Sequence, residues 1–204
     1  MAERTGAAPE GHTSVAPWVV TDGTGAFLDF VAQAFAGEEL GRVAVEDGVI
    51  GHGETRVGDT VVLAFDRRAD RPVLPSLLRV FVADADTAFS RAVAAGGQVV
   101  TPLSDNTFGQ RGGRVKDPFG NIRWVVRHVE EVSEDEMGKR LRDPGYAEGM
   151  RVARVTPDAE LTGRCHGRGS APVRTAGRPG RRGSPRHPAG VRRRSPGPPS
   201  PVSR

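Results

Sequence analysis

One cysteine, one tyrosine and two lysines stand among 204 residues, and each scarcity excludes something. Cys165 has no second thiol to pair with, so no intrachain disulfide can form. It lies in a tail expected to be disordered, which argues against a positioned cysteine nucleophile. Outside that tail only three histidines occur, His12, His52 and His128, and no Gly-x-Ser-x-Gly elbow accompanies them. A Ser-His-Asp triad therefore has no support. Gly23-Thr24-Gly25 lacks the lysine and third glycine of a phosphate loop and reads as a strand-to-helix turn. No apolar run approaches the ~18 residues of a membrane span, and the N-terminus shows no apolar signal core. A soluble, cytoplasmic protein is expected.

Acidic and large apolar residues are absent from one stretch. Residues 163–204 hold eleven Arg, eight Pro and eight Gly, without Asp, Glu, Leu, Ile, Phe, Trp, Tyr or Met. Such a segment buries too little apolar surface to offset its ordering entropy and is expected to be disordered. It also distorts the net charge of +4: without it the chain holds 18 basic and 25 acidic residues. The tail reads as a tether for nucleic acid or another acidic surface, as a dispensable extension, or as the product of a shifted frame in GC-rich DNA. No aromatic residue is interleaved for base stacking, which disfavours the first.

What is present is a duplication. Val15–Val20 is a strand candidate, and Asp22 is placed to cap a helix in which Phe27, Phe30, Val31, Ala34 and Phe35 form one stripe. Gly37 stops it. Strand candidates follow at 40–45, 49–57 and 60–65, with Gly58-Asp59 as a turn. The second half repeats the series. Leu77–Val82 is a strand, and Asp84 or Asp86 caps a helix carrying Ala85, Phe89, Ala92 and Val93. Strands follow at 98–102, 113–116 and 122–126. Asp117-Pro118-Phe119-Gly120 has the residue order of a type I turn between the last two. The expected fold is α+β: two βαβββ modules forming a curved mixed sheet around a pocket. Ser133 to Glu136 is a capping box for a short helix ending near Leu141, and Pro144-Gly145 is expected to end ordered structure. The expected organisation is a flexible 1–11, a domain over 12–142 and a disordered tail over 143–204.

HTSVAPWVVTDG, DFVAQAF, GHGETRVGDTVVLAF, VADADTAFSRAVAAGG, VKDPFGNIRWVV and HVEEVSEDEM resemble the vicinal oxygen chelate superfamily. They are most similar to its PhnB-like branch within the glyoxalase/bleomycin-resistance group. The resemblance spans about His12 to Leu141 and implies paired βαβββ units around a pocket. It leaves function open between metal-dependent lyases, isomerases and dioxygenases and metal-free proteins that sequester drugs. Metal-dependent members place ligands at four strand positions, which by spacing are Val15, Leu63, Leu77 and Trp124 here. None of these side chains can donate to a divalent cation, so no metal and no other cofactor is expected.

The candidate ligand-binding residues are Arg79, Trp124, Phe81, Phe65, Leu63, His52, Glu54 and Phe108. Arg79 alternates with Leu77 and Phe81 toward the expected pocket. Buried there, its guanidinium needs an acidic ligand or an internal partner such as Glu54. Phe65, Phe81 and Trp124 are expected to share the cavity and to stack on a planar or anionic molecule. His52 and Glu54, two apart on a strand, face one way and suit a polar contact or acid–base work. Phe108 and Arg111, in the loop 105–113, are placed to cover the mouth. The leading function is metal-independent binding or sequestration of a small aromatic or anionic molecule, in a homodimer. The alternatives are an enzyme of the same superfamily, with a metal on noncanonical ligands or with metal-free acid–base chemistry, carried by His52 and Glu54, and a dimerising scaffold whose tail does the work.

Overall fold

The computed structural model describes residues 8–9 and 11–166. Expectations for 1–7, 10 and 167–204 lie outside the described residues. The first module runs β1 (Trp18–Thr21), α1 (Thr24–Phe35), β2 (Glu38–Ala44), β3 (Ile50–Val57) and β4 (Thr60–Asp66). The second runs β5 (Leu77–Phe81), α2 (Ala85–Ala94), β6 (Gln98–Asp105), β7 (Gln110–Lys116) and β8 (Ile122–His128). Two further helices follow, α3 (Glu134–Arg140) and α4 (Pro144–His166). Each module makes a four-stranded mixed sheet, ordered β1-β4-β3-β2 and β5-β8-β7-β6. The two-module α+β reading is thus realised.

Period-two alternation decides which residues meet the helices. Val19, Thr55, Val62 and Ala64 are buried beneath α1, whereas Trp18, Leu63, Phe65, His52 and Glu54 occupy the opposite face. In the second sheet Val115 and Val125 join Phe89 and Ala92 of α2 in the core. One apolar cluster, including Phe27, Phe30 and Val31 of α1, runs through both modules. Burying a side chain such as Phe27 contributes about 1.5–3 kcal/mol.

The 117–120 turn does more than reverse the chain. Gly120 N–H donates to the Asp117 carbonyl at 2.9 Å, closing the turn. The buried Asp117 carboxylate accepts from Phe119 N–H, Asn121 N–H, the Asn121 amide and Arg123 Nη2 at 2.7–3.1 Å. Arg123 also donates to Ser76 Oγ at 2.9 Å and sits 5.5 Å from the Phe27 ring centroid. Burial pushes its guanidinium below the usual range, and Asp117 opposes that shift. Phe119 meets Phe27 and Phe30 edge-on at 5.8 and 6.5 Å, so the turn of one module is riveted to the helix of the other.

Three local expectations need correction. First, Val15 precedes β1 and is 82% exposed; the residue opposite Leu63 on β1 is Trp18. Second, Asp22 does not cap α1. The N-cap position is Gly23 at φ 97°, which leaves Asp22 one residue too far upstream, where it pairs with Arg67 at 2.9 Å. The cap comes from Asp66 at the end of β4. Its Oδ1 accepts from Gly23 and Thr24 N–H at 3.1 and 2.6 Å, and its Oδ2 from Ile50 N–H at 2.7 Å. Burial alone would raise this carboxyl, but the N–H donors of Thr24, Ile50 and Gly23 hold it below its ordinary value. In α2, by contrast, Asp84 caps as expected, accepting from Asp86 and Thr87 N–H at 3.1 Å each. Gly37 follows Ala36, which itself takes the left-handed position at φ 53°. A Cβ on Gly37 would stand 2.8 Å from Val31 Cγ1 and 2.9 Å from Thr55 Oγ1, so close packing, not φ, requires the glycine.

Third, order does not stop at Pro144. Proline is well placed in the first turn of a helix, where its missing N–H has no intrahelical partner. Asp143 ahead of it accepts from Gly145 and Tyr146 N–H at 2.8 and 3.2 Å. Asp143-Pro144 therefore starts a 23-residue helix. Residues 144–166, Cys165 included, thus belong to a helix that the sequence reading assigned to the tail.

Candidate ligand-binding groove

α4 lies over the second sheet, on the face that α2 leaves open. Thr156 Oγ1 meets Thr101 Oγ1 at 2.5 Å, Arg114 Nη1 donates to the Ala153 carbonyl at 2.6 Å, and Lys116 pairs with Glu160. The middle contact has a specific cause. In an α-helix the Ala153 carbonyl accepts from the N–H of residue 157, which is Pro157 and has none. The guanidinium of Arg114 takes the orphaned acceptor.

Register brings the charged face together. Arg79 on β5 is paired with Trp124 on β8, and Trp124 with Arg114 on β7. Thr101 on β6 completes the row. The two guanidinium carbons lie 4.1 and 4.3 Å from the indole centroid, one reaching in from each neighbouring strand. Arg79 is also 5.0 Å from the Phe81 ring. Among the described residues no carboxylate forms an ion pair with either arginine. Arg79 donates instead to the Gln110 amide oxygen, and Arg114 to Thr101 Oγ1 at 3.2 Å besides Ala153. Burial, and next the positive charge of Arg79, lower the Arg114 pKa. A negative charge placed here would reverse the second effect.

Two cavities open beneath α4 on either side of Arg114 and Trp124, with volumes of about 440 and 330 Å³. Phe108 lines the larger and Leu77 and Arg79 the smaller. A third, of about 180 Å³, lies between the modules against Phe27, Val31, Phe35 and Phe81.

The structure divides the sequence-derived site residues into two groups. Arg79, Phe81, Trp124 and Phe108 belong to the second sheet and its groove. Leu63, Phe65, His52 and Glu54 stand on the first sheet, and neither cavity beside Trp124 is lined by any of them. Phe65 packs edge-on against Trp18 at 5.3 Å. Glu54 is not the partner of Arg79; it accepts from His52 Nε2 at 2.8 Å and lies 3.9 Å from His12 Nε2. Arg79 is exposed, so the burial argument for an internal partner falls away. Arg111 turns from the mouth to grip Asp86 at 2.7 Å. Sequence reasoning missed Arg114. Counting outward from the 117–120 turn pairs Lys116 with Ile122 and Arg114 with Trp124, which was the available signal.

A model of the Glyoxalase/Bleomycin resistance protein/Dioxygenase superfamily matches residues 11–125. The chain belongs to this superfamily. An uncharacterized protein of Mycobacterium bovis is 35% identical over 143 residues, covering 65% of this chain and 94% of the relative. An uncharacterized Mycobacterium tuberculosis protein shows the same identity, with 84% of its length covered. Among solved structures, protein PA1353 from Pseudomonas aeruginosa shares the fold at 19% identity and a TM-score of 0.50, covering 57% of this chain and 98% of that one. TioX from Micromonospora sp. ML1 is similar at 27% identity and a TM-score of 0.46, over 56% and 99% of the two chains.

The superfamily's name spans enzymes and resistance proteins, so the residues must decide. Val15, Leu63, Leu77 and Trp124, and Trp18 in place of Val15, offer no ligand atom for the metal that many members hold. Among the described residues no group of three His, Cys, Asp or Glu side chains is arranged to hold one. The residues present do not fit the group. No helix of the described residues is long and apolar enough to cross a membrane.

Proposed function

We propose that this domain binds a small organic anion, without a resident metal, in the groove between its second sheet and α4. The observation that carries the reading is the Arg79–Trp124–Arg114 row: two guanidiniums held against one indole, neither paired with a carboxylate among the described residues. Hydrogen bonds to charged groups contribute about 1.5–3 kcal/mol each, enough to orient a small ligand. Trp124 holds the two guanidiniums apart, and Phe108 and Phe81 flank the row with aromatic surface. Sequestration is the matching biological role, and the motif order keeps the PhnB-like branch as our assignment within the superfamily. A homodimer belongs to the same proposal: Trp18, Val43 and Val45 of the first module are more than half exposed, an apolar surface for a second copy.

Trp18 and Trp124 are the chain's two tryptophans, so Trp18→Phe leaves Trp124 as the sole indole fluorophore. In that background benzoate should change Trp124 emission saturably, and neutral benzamide should not. Arg114→Gln and Arg79→Gln should each weaken benzoate at least about tenfold, the equivalent of 1.4 kcal/mol. Equal responses to acid and amide, or binding that survives both substitutions, would refute the reading.

One observation favours a second reading. The 2.8 Å contact of His52 Nε2 with Glu54, beside His12, is the geometry of an acid–base pair. Conversion of a bound molecule that stops in both His52→Ala and Glu54→Gln would establish it.

A further inference from the structure

The groove is asymmetric in charge. Its 440 Å³ lobe is lined by Arg114, Arg151 and Arg154 and, among the described residues, by no acid; Arg151 is neutralised outside it by Glu148 at 2.6 Å, which leaves Arg114 and Arg154. Thr101, Ser104 and Asn106 add neutral polar groups there. The 330 Å³ lobe is walled by Leu77, Leu78, Ile122, Pro157 and Leu161, and beside Arg79 and the shared Arg114 it holds one acid, Asp158. Arg114 and Trp124 line both lobes. Leu77 is 59% exposed, an apolar side chain left toward the groove.

We infer that the ligand is an amphipathic monoanion bound in one direction. Its acid group meets Arg114 and the polar lobe, and its elongated apolar body passes Trp124 into the lobe of Leu77 and Ile122. The inference rests on the anion reading above and deepens it: α4, which lies beyond the matched residues 11–125, supplies one wall of each lobe and so sets what the site selects. The direction follows from charge. An acid group in the second lobe meets Asp158, and one in the first meets no acid among the described residues. Apolar surface entering the second lobe leaves water against leucine, isoleucine and proline carbons, so affinity grows with its length. Leu77 is the specificity-determining residue: it touches the body of the ligand and not its charge.

The test uses the full chain and the straight-chain carboxylates from butanoate to octanoate, titrated calorimetrically. Each added methylene should tighten binding about fourfold until the lobe is filled. Octanedioate, which must place a second carboxylate near Asp158, should bind at least about tenfold more weakly than octanoate. Leu77→Gln, a change at an exposed position, should weaken octanoate more than butanoate and cut the increment to below about twofold per methylene. Circular dichroism checks that the variant is folded. If carboxylates bind with no dependence on length, the two-lobe assignment fails and the anion reading stands. If the length dependence persists in Leu77→Gln, or octanedioate matches octanoate, the orientation is refuted. If no carboxylate binds, both readings fall.

Discussion

Pro157 and Arg114 are predicted to be energetically coupled, although one lies on α4 and the other on β7. Replacing Arg114 by Gln in the native background removes a charge-assisted hydrogen bond to the Ala153 carbonyl, about 1.5–3 kcal/mol. It also removes a cation–π contact, about 0.5–2 kcal/mol. Relief of repulsion with Arg79 returns part of this, so a net loss of about 2–3 kcal/mol is expected. In a Pro157→Ala background the residue 157 N–H can donate to the Ala153 carbonyl, as the helix ladder ordinarily does. The same Arg114→Gln change should then cost only the indole contact, about 1 kcal/mol. The cycle should therefore close with a coupling energy of about 1–2 kcal/mol. Urea unfolding of the four proteins, followed by far-UV circular dichroism and by Trp124 emission in a Trp18→Phe background, measures it. A coupling below about 0.5 kcal/mol, the usual error of additivity, would show that the proline does not create the acceptor Arg114 uses.

Two other perturbations test the frame that positions the groove. Asp117→Ala leaves Arg123 buried without its charge partner and frees the Phe119 rivet, so a loss of about 3–5 kcal/mol is expected by chemical denaturation; a loss below about 1 kcal/mol would mean the turn is dispensable. Asp66→Asn keeps an amide oxygen for one set of donors but turns an NH2 toward the other, so it should cost about 1–2 kcal/mol at neutral pH. Because the folded carboxyl of Asp66 is depressed, its contribution is complete above the unfolded value near 3.9 and is lost as pH falls through the folded one. The native chain should accordingly lose stability below about pH 4 more steeply than Asp66→Asn; parallel profiles would assign the acid sensitivity elsewhere.

The modules were legible because their signals are local. Alternation on β4 and β8, the stripe Phe27–Phe30–Val31–Ala34 and the 117–120 turn each lie within a dozen residues and agree with one another. What failed needed distant partners. Asp22 and Asp84 look alike in sequence, but the acceptor at the first helix start comes from Asp66, 42 residues on from Thr24. Pro144-Gly145 reads as a stop when it is met after a short helix, yet the same proline is favourable at a helix start once Asp143 is recognised as the cap. The site divided the same way. Phe65 and Trp124 match as aromatic residues on the last strands of two similar modules, which suggested a shared cavity. Only the path of α4 shows that one sheet's face is covered and groove-forming while His52, Glu54 and Phe65 occupy the other.

That difference bears on how duplication and function relate in this chain. Two copies of one unit begin with equivalent faces, each a row of strand positions opposite its helix. In the first copy those positions carry Trp18, Leu63 and Glu54, and their polar groups satisfy one another through His52 and His12. In the second they carry Arg79, Trp124 and Arg114, whose charges find only neutral acceptors within the described residues. A helix with its own defect, the proline that strands the Ala153 carbonyl, is then laid across that row. Charge without a counterion and a roofed cavity are separate features, and neither alone identifies a binding site. Their coincidence on one face, and the lack of it on the duplicated face, is the reason the proposed ligand site is put on the second module and the proposed second copy against the first.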